Sequence, residues 1–137
     1  MMQQRIRALA VVVAVIPIGL LARSMRSGAD TSTVGGFLAA YTGDTLWPVM
    51  FYFIARFLFP AAKFGSLLAF AVSLTLGIEF LQLWQPATLQ WLRTKPVIGF
   101  ILGNTFLWSD VICCLVGSMI AVLIDMTLHL HPKASWR

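Results

Sequence analysis

Four apolar runs govern what this chain can become. They cover residues 6–22, 46–59, 67–81 and 111–128. A helix that crosses about 30 Å of hydrocarbon at 1.5 Å per residue needs roughly 20 residues, with about 17–25 tolerated. With their flanks the runs predict helices over about 6–22, 43–59, 63–84 and 109–128, followed by a polar tail over 129–137. The rest of the composition agrees: 59% of residues are hydrophobic and 11% charged, against roughly 45–50% and about 25% in soluble domains. The net charge of +5 and the pI near 9.9 would suit a nucleic-acid binder. Here, however, most of the ten Lys and Arg sit at the ends of the apolar runs, where a bilayer sorts them. Nucleic acid is therefore excluded as a partner, and membrane lipid is the first one expected. The runs lack the alternation of a β-barrel, and no internal repeat is visible. One integral membrane domain, 1–137, accounts for the whole chain.

The flanks of each run set its limits. Arg5 and Arg7 precede the first run, and Arg23 and Arg26 follow it. A basic start, an apolar core and the small residues Ser27, Gly28 and Ala29 are also ingredients of a cleaved signal peptide, but two arginines directly after the core favour a retained helix. The second helix is expected to open at Asp44, where a helix N-terminus favours a carboxylate, and to end before Pro60. The third begins at Lys63 and is stopped by Pro86. The fourth opens with Ser109 and Asp110. Residues 97–108 are apolar but broken by Gly99, Gly103 and Asn104, and about a dozen residues cannot span. The expected fold is thus an all-α membrane protein, with four transmembrane helices and an interfacial or re-entrant segment before the last. Both termini then share one face. Six flanking basic residues lie on that face (Arg5, Arg7, Arg56, Lys63, Lys133, Arg137) and four on the other (Arg23, Arg26, Arg93, Lys95), which predicts cytoplasmic termini.

Only five acidic residues occur. Asp44 at the start of the second helix, Glu79 near the end of the third and Asp110 at the start of the fourth are expected on one membrane face, whichever way the chain inserts. Glu79 is placed deepest, about 7–8 Å inside the level of Trp84. A carboxylate there costs up to a few kcal/mol unless it is paired, protonated or wetted. Thr75, Glu79 and Gln82 stack on one helical face, and Gln82 can both donate and accept. Arg93 is the natural partner for carboxylates, because its planar fork meets them bidentately; Lys95 and Arg23 are nearby cations. Trp47, Trp84, Trp91 and Trp108 are expected near this same face, as interfacial anchors. Each of these residues also has a structural alternative. Asp44 and Asp110 can simply cap their helices. Gly117 with Ala121 reads as a close helix contact. Cys113 and Cys114 read as small packing residues, His129 and His131 as surface residues, and Asp125 as lying at the opposite interface. No metal-ligand spacing and no cofactor motif appears, and no residue stands out as catalytic.

The stretch Tyr41-Thr-Gly-Asp44-Thr-Leu-Trp47, then Glu79-Phe-Leu-Gln82, Arg93, Gly99 and Gly103, and finally Phe106-Leu-Trp-Ser-Asp110 with Gly117, resembles a family of small bacterial membrane proteins. Its members are sometimes labelled YjgA-type ribosomal maturation proteins. That family is similar in turn to the VanZ-like proteins, named for resistance to teicoplanin. The shared pattern is Glu-x-x-Gln near the end of a membrane helix, a following Arg, then Asp and, seven residues later, Gly. The resemblance covers most of the chain after Tyr41. It implies a bacterial inner-membrane location and a polar set of Asp44, Glu79, Gln82, Arg93 and Asp110. One position departs from the pattern: Cys114 stands where the closer family is expected to have Tyr and VanZ-like proteins Asn, so a strong hydrogen-bonding member is replaced by a weak one.

The functional expectation is a polar pocket at the extracytoplasmic face that binds a polar or lipid-linked cell-envelope ligand. The VanZ-like resemblance implies a cell-wall precursor as the ligand class. Two alternatives stand beside it. The carboxylates can serve as general acid and base in hydrolysis of a lipid-linked substrate, although no Ser, Cys or His is placed as a nucleophile. The charged set can also dock a membrane protein partner, making the chain an accessory subunit.

Overall fold

The computed structural model describes residues 2–25, 30–95, 98 and 107–128. Among them the chain is all-α, in the order α1 (Met2–Met25), α2 (Val34–Leu58), α3 (Phe64–Leu83), α4 (Ala87–Arg93) and α5 (Trp108–Thr127). Three helices are long and apolar enough to cross a membrane: α1 over Met2–Ala22, α3 and α5. α2 is 25 residues long, but Thr42, Gly43, Asp44, Thr45, Trp47 and Pro48 dilute its apolar content. Its position explains why it tolerates them. α2 packs against α1, α3 and α5, so protein rather than lipid covers most of its circumference. The expected segment over 97–108 lies almost wholly outside the described residues, as do Gly99, Gly103 and the tail from residue 129.

The second helix begins well before the expected position near residue 43. Thr33 caps it, its Oγ1 accepting the Gly36 N–H at 3.1 Å. Just before, Asp30 Oδ1 accepts the N–H and O–H of Ser32 at 3.0 and 2.6 Å, which turns the chain into the helix. Gly36 rides directly on the Asp30 carbonyl, where a methyl group would collide with it. A hydroxyl cap and a glycine at a tight approach thus start α2 three turns before the carboxylate that had marked its start in the sequence. Asp44 lies inside the helix, not at its end. The other boundaries fall close to expectation, with Lys63 and Trp84 flanking α3.

Successive long helices run up and down. The Arg7 guanidinium donates to the Leu128 carbonyl at 2.9 Å, so the first turn of α1 and the end of α5 share one end of the bundle, called here the termini end. The C-terminus of α2 lies there too, joined to α5 through Arg56 and Asp125. α4 marks the opposite end. Between them, Ala8, Val12 and Val15 of α1 pack with Val49, Tyr52 and Phe53 of α2 and with Leu67, Ala71 and Ala121. α2 and α5 make their closest approach at Gly117: a side chain there would strike the Thr45 carbonyl oxygen and the Pro48 ring. Gly117 is the close helix contact expected of it, made against α2, with Ala121 fully buried one turn on.

Candidate functional site

At the α4 end the polar residues of α3 meet α4 and the start of α5. Gln82 is buried on α3, and Glu79, one turn back, is half-buried. Arg93, at the last position of α4, donates to Gln85 Oε1 at 2.9 Å and to the Leu81 carbonyl at 2.8 Å. Gln85 in turn donates to the Gln82 carbonyl at 2.8 Å. A helix ends with four carbonyls that lack intrahelical partners. Side chains from the α4 segment supply donors to two of those of α3, and the Arg93 charge sits where the helix dipole favours a cation. The two terminal nitrogens of the fork are therefore turned on Gln85 and the α3 terminus. Arg93 Nε and Gln82 Oε1 remain buried with no hydrogen-bond partner among the described residues.

Asp110 is buried in the first turn of α5, where its Oδ2 accepts the Leu107 N–H at 3.3 Å and Oδ1 the Ser109 hydroxyl at 3.3 Å. Of its two sequence readings, the helix cap is the one the geometry displays. Asp44 is half-buried and does not lie where it was expected. It is ten residues into α2, roughly 15 Å along the axis. The Gly117–Thr45 contact sets the register of α2 against α5, and it leaves Asp44 a turn or more deeper than Asp110. Asp44 is thus not a helix-start carboxylate level with Asp110. Trp47 moves with it: half-buried within the bundle, its ring lies 5.5 Å from that of Phe51, so it is no interfacial anchor. Trp84, Trp91 and Trp108 are exposed at the α4 end, as belt residues would be, and Lys95 lies over the Trp91 ring at 4.7 Å.

The stripe Thr75–Glu79–Gln82 faces α5. The Cys114 thiol is a close neighbour of the Thr75 and Ser118 hydroxyls and lies within electrostatic reach of Glu79. The position that departs from the resembled pattern is therefore inside the polar line, not in the apolar packing expected of Cys114. Thr75 spends its own proton on the Ala71 carbonyl at 2.8 Å.

A second polar cluster, which the sequence reading did not assemble, closes the termini end. Asp125 and Arg56 are fully buried and ion-paired. Asp125 Oδ2 accepts from both Arg56 Nε, at 2.9 Å, and the Tyr52 hydroxyl, at 2.6 Å. Arg56 Nη1 donates to the Pro60 and Ala62 carbonyls at 3.2 and 2.7 Å, and its guanidinium lies 5.5 Å from the centre of the Phe64 ring. One cation thus ties α2, the α2–α3 turn, α3 and α5 together. Asp125 is interior rather than interfacial as expected, and Arg56 is no solvated flank charge. Helical spacing was the available signal. Tyr52 and Arg56 stand four apart on α2, and on α5 Asp110, Cys114, Ser118 and Asp125 fall within about 80° of one another.

Among the described residues no group of three or more His, Cys, Asp or Glu is arranged to hold a metal. Fold and site define an all-helical chain with membrane-length apolar helices and a buried polar seam between α2, α3 and α5. Residues 34–118 match a family described as a protein of unknown function, DUF2809. The match covers more than half of the chain, and the protein belongs to that family. It takes in all five of the expected site residues and ends before Asp125. Neither the VanZ-like nor the YjgA-type label comes with it. No solved structure matches the chain.

Proposed function

We propose that this is a four-span protein of the bacterial inner membrane, with both termini cytoplasmic, that binds a polar or lipid-linked cell-envelope ligand at the extracytoplasmic α4 end. The fourth crossing is α2. Its 25 residues reach about 37 Å, and it carries the chain from the end of α1 to the start of α3, at opposite ends of the bundle. Six flanking basic residues against four assign the termini end to the cytoplasm. Arg56 counts among them although it is buried in the final fold, because the bias acts on Lys and Arg as the chain inserts.

The observation that carries the ligand reading is the pair of unsatisfied atoms at the α4 end, Gln82 Oε1 and Arg93 Nε. A buried polar atom without a partner costs about 1–3 kcal/mol, and here an acceptor and a donor are left so at one end of the bundle, near the half-buried Glu79. A headgroup with both donors and acceptors supplies what they lack, while Trp84, Trp91 and Trp108 border the site at headgroup depth. The VanZ-like resemblance makes a cell-wall precursor the ligand class to try first. The test is mass spectrometry of the lipids retained after gentle detergent extraction. The wild type should retain a headgroup-bearing or isoprenoid-linked lipid that Gln82→Leu and Glu79→Gln lose. An identical lipid complement in all three would sink the reading.

A further inference from the structure

The polar residues of α2, α3 and α5 do not stop at the α4 end. On α5, Asp110, Cys114, Ser118 and Asp125 share a face about 80° wide; on α3, Thr75, Glu79 and Gln82 lie within about 60°; on α2, Thr45, Pro48, Tyr52 and Arg56 lie within about 80°. Thr75 and Ser118 each meet Cys114, Thr45 and Pro48 meet Gly117, and Tyr52 and Arg56 meet Asp125. The three stripes therefore form one seam running the length of the bundle.

Three side chains in that seam, each more than nine-tenths buried, carry an unsatisfied oxygen: Gln82 (8% exposed), Ser118 (1%) and Asp125 (0%). They are spread along it, with Gln82 at the α4 end, Ser118 near the middle and Asp125 at the termini end. Asp125 is the most telling of them. Its described donors, Tyr52 and Arg56, all act on Oδ2, while Oδ1 accepts from none of the described residues. Ser118 Oγ has no hydrogen-bond partner among the described residues, and beside it lies the thiol of Cys114, a weak hydrogen-bonding group that Thr75 also approaches.

We propose that the α2–α3–α5 seam is hydrated within the membrane, with water bound at Gln82 Oε1, at Ser118 Oγ and at Asp125 Oδ1. A buried water is held by two to four polar partners. Around the Cys114 thiol lie the hydroxyls of Ser118 and Thr75, the latter as an acceptor, and the three groups together can hold one; the Asp125 position offers a carboxylate oxygen that takes any donor. Larger polar groups are excluded from the middle of the seam, where Gly117 is in direct contact with α2. The file of water ends at Arg56, whose nitrogens are committed to Asp125, Pro60 and Ala62 and which Phe64 covers. It is therefore a blind inlet from the α4 end, not a pore.

The test is water-edited solid-state NMR of the wild-type protein in liposomes, with polarisation transferred from mobile water to labelled side chains. Ser118 Cβ and Asp125 Cγ should gain signal several-fold faster than the exposed apolar side chains Leu115 and Met119 on the opposite face of α5. Build-up at Ser118 no faster than at Leu115 would overturn the proposal, even if Gln82 and Asp125 were wet, because the seam would then be two wet ends and a dry middle. A second measurement reads the sign of a mutation. Ser118→Ala removes an unsatisfied hydroxyl, which raises Tm if the site is dry. If a bound water is lost with the hydroxyl, Tm falls by a few degrees. A rise would count against hydration there.

Discussion

The two ends of the seam contain the same kinds of groups and use them in opposite ways. At the termini end, one arginine and one aspartate, both fully buried, are joined to each other, to a tyrosine and to the carbonyls of a turn. At the α4 end carboxylates, an arginine and glutamines are gathered too, but Arg93 gives only its terminal nitrogens to Gln85 and a helix terminus, Asp110 serves a cap, and Gln82 keeps an unsatisfied oxygen. The closed end holds the helices in register. The open end leaves a donor, Arg93 Nε, as well as an acceptor, Gln82 Oε1, without a partner among the described residues, whereas the closed end commits every nitrogen of Arg56 and leaves an acceptor, Asp125 Oδ1. Charge placement alone does not separate these roles, because at both ends a cation on one element approaches another element's polar groups. Commitment of the donors does.

The largest effect that separates the two ends is expected at Asp125. Removing one member of a buried pair strands the other, at a typical cost of about 3–5 kcal/mol. Asp125→Ala and Arg56→Ala should each lower the Tm of the detergent-solubilised protein severely. The double variant Arg56→Met with Asp125→Leu strands no charge, although it leaves the Tyr52 hydroxyl and the Pro60 and Ala62 carbonyls without their partners, and should recover part of the loss. Thermal melting of all three checks this. Single variants that melt within a degree or two of wild type would mean that the termini end is as open as the other.

Gly117 sits between the ends and sets the register on which the comparison depends. Gly117→Val places two methyl groups against the Thr45 carbonyl and Pro48, and overpacking of this kind costs about 1–3 kcal/mol. Gly117→Ala, which adds one methyl group, and Gly117→Val should lower Tm progressively, as thermal melting would read. Variants that melt with the wild type would remove the basis for placing Asp44 deeper than Asp110.

At the α4 end the expected losses of stability are smaller and the losses of function larger. Arg93→Ala frees the Leu81 carbonyl and the Gln85 side chain, worth about 1–2 kcal/mol for charge-assisted bonds that are partly exposed. Glu79→Gln keeps shape and should leave Tm close to wild type while abolishing lipid retention. If Arg93→Ala proves as destabilising as Asp125→Ala, the α4 end is a second structural knot and not a site.

How far the sequence foretold this division depends on which residues are considered. The apolar runs foretold four membrane helices, and three of them are long and apolar enough to cross, because length and hydropathy are local properties of the chain. The helical spacing of Thr75, Glu79 and Gln82 foretold a polar face on α3. Asp125 and Arg56 were misplaced because a charge near a helix end reads as interfacial unless its partner is known. That partner lies 69 positions away in the chain, beyond any periodicity. Asp44 was misplaced for a local reason: a carboxylate near an apolar run resembles a helix start, and the competing cap at Thr33 stood behind two glycines that read as loop. Trp47 followed Asp44 into the error.

The smallest effect expected lies in the turn that leads into α2. The Ser32 hydroxyl and backbone N–H both donate to Asp30, and these bonds hold its carboxyl below the usual carboxylate range. A carboxylate with a lowered folded-state pKa contributes stability that is present above its unfolded value, near about 3.9, and is lost as pH falls through the folded value. The contribution is small, because the group is solvent-exposed and screened. Carboxyl chemical shifts followed through an acid titration should show Asp30 titrating below the ordinary range in the wild type and moving back up in Ser32→Ala. The contrast sharpens the division between satisfied and unsatisfied groups, since at Asp30 water competes for every bond, whereas at Asp125 the helices exclude bulk solvent. If Ser32→Ala leaves the Asp30 titration where it was, the turn does not hold its bonds in solution, and the early start of α2 rests on Thr33 alone.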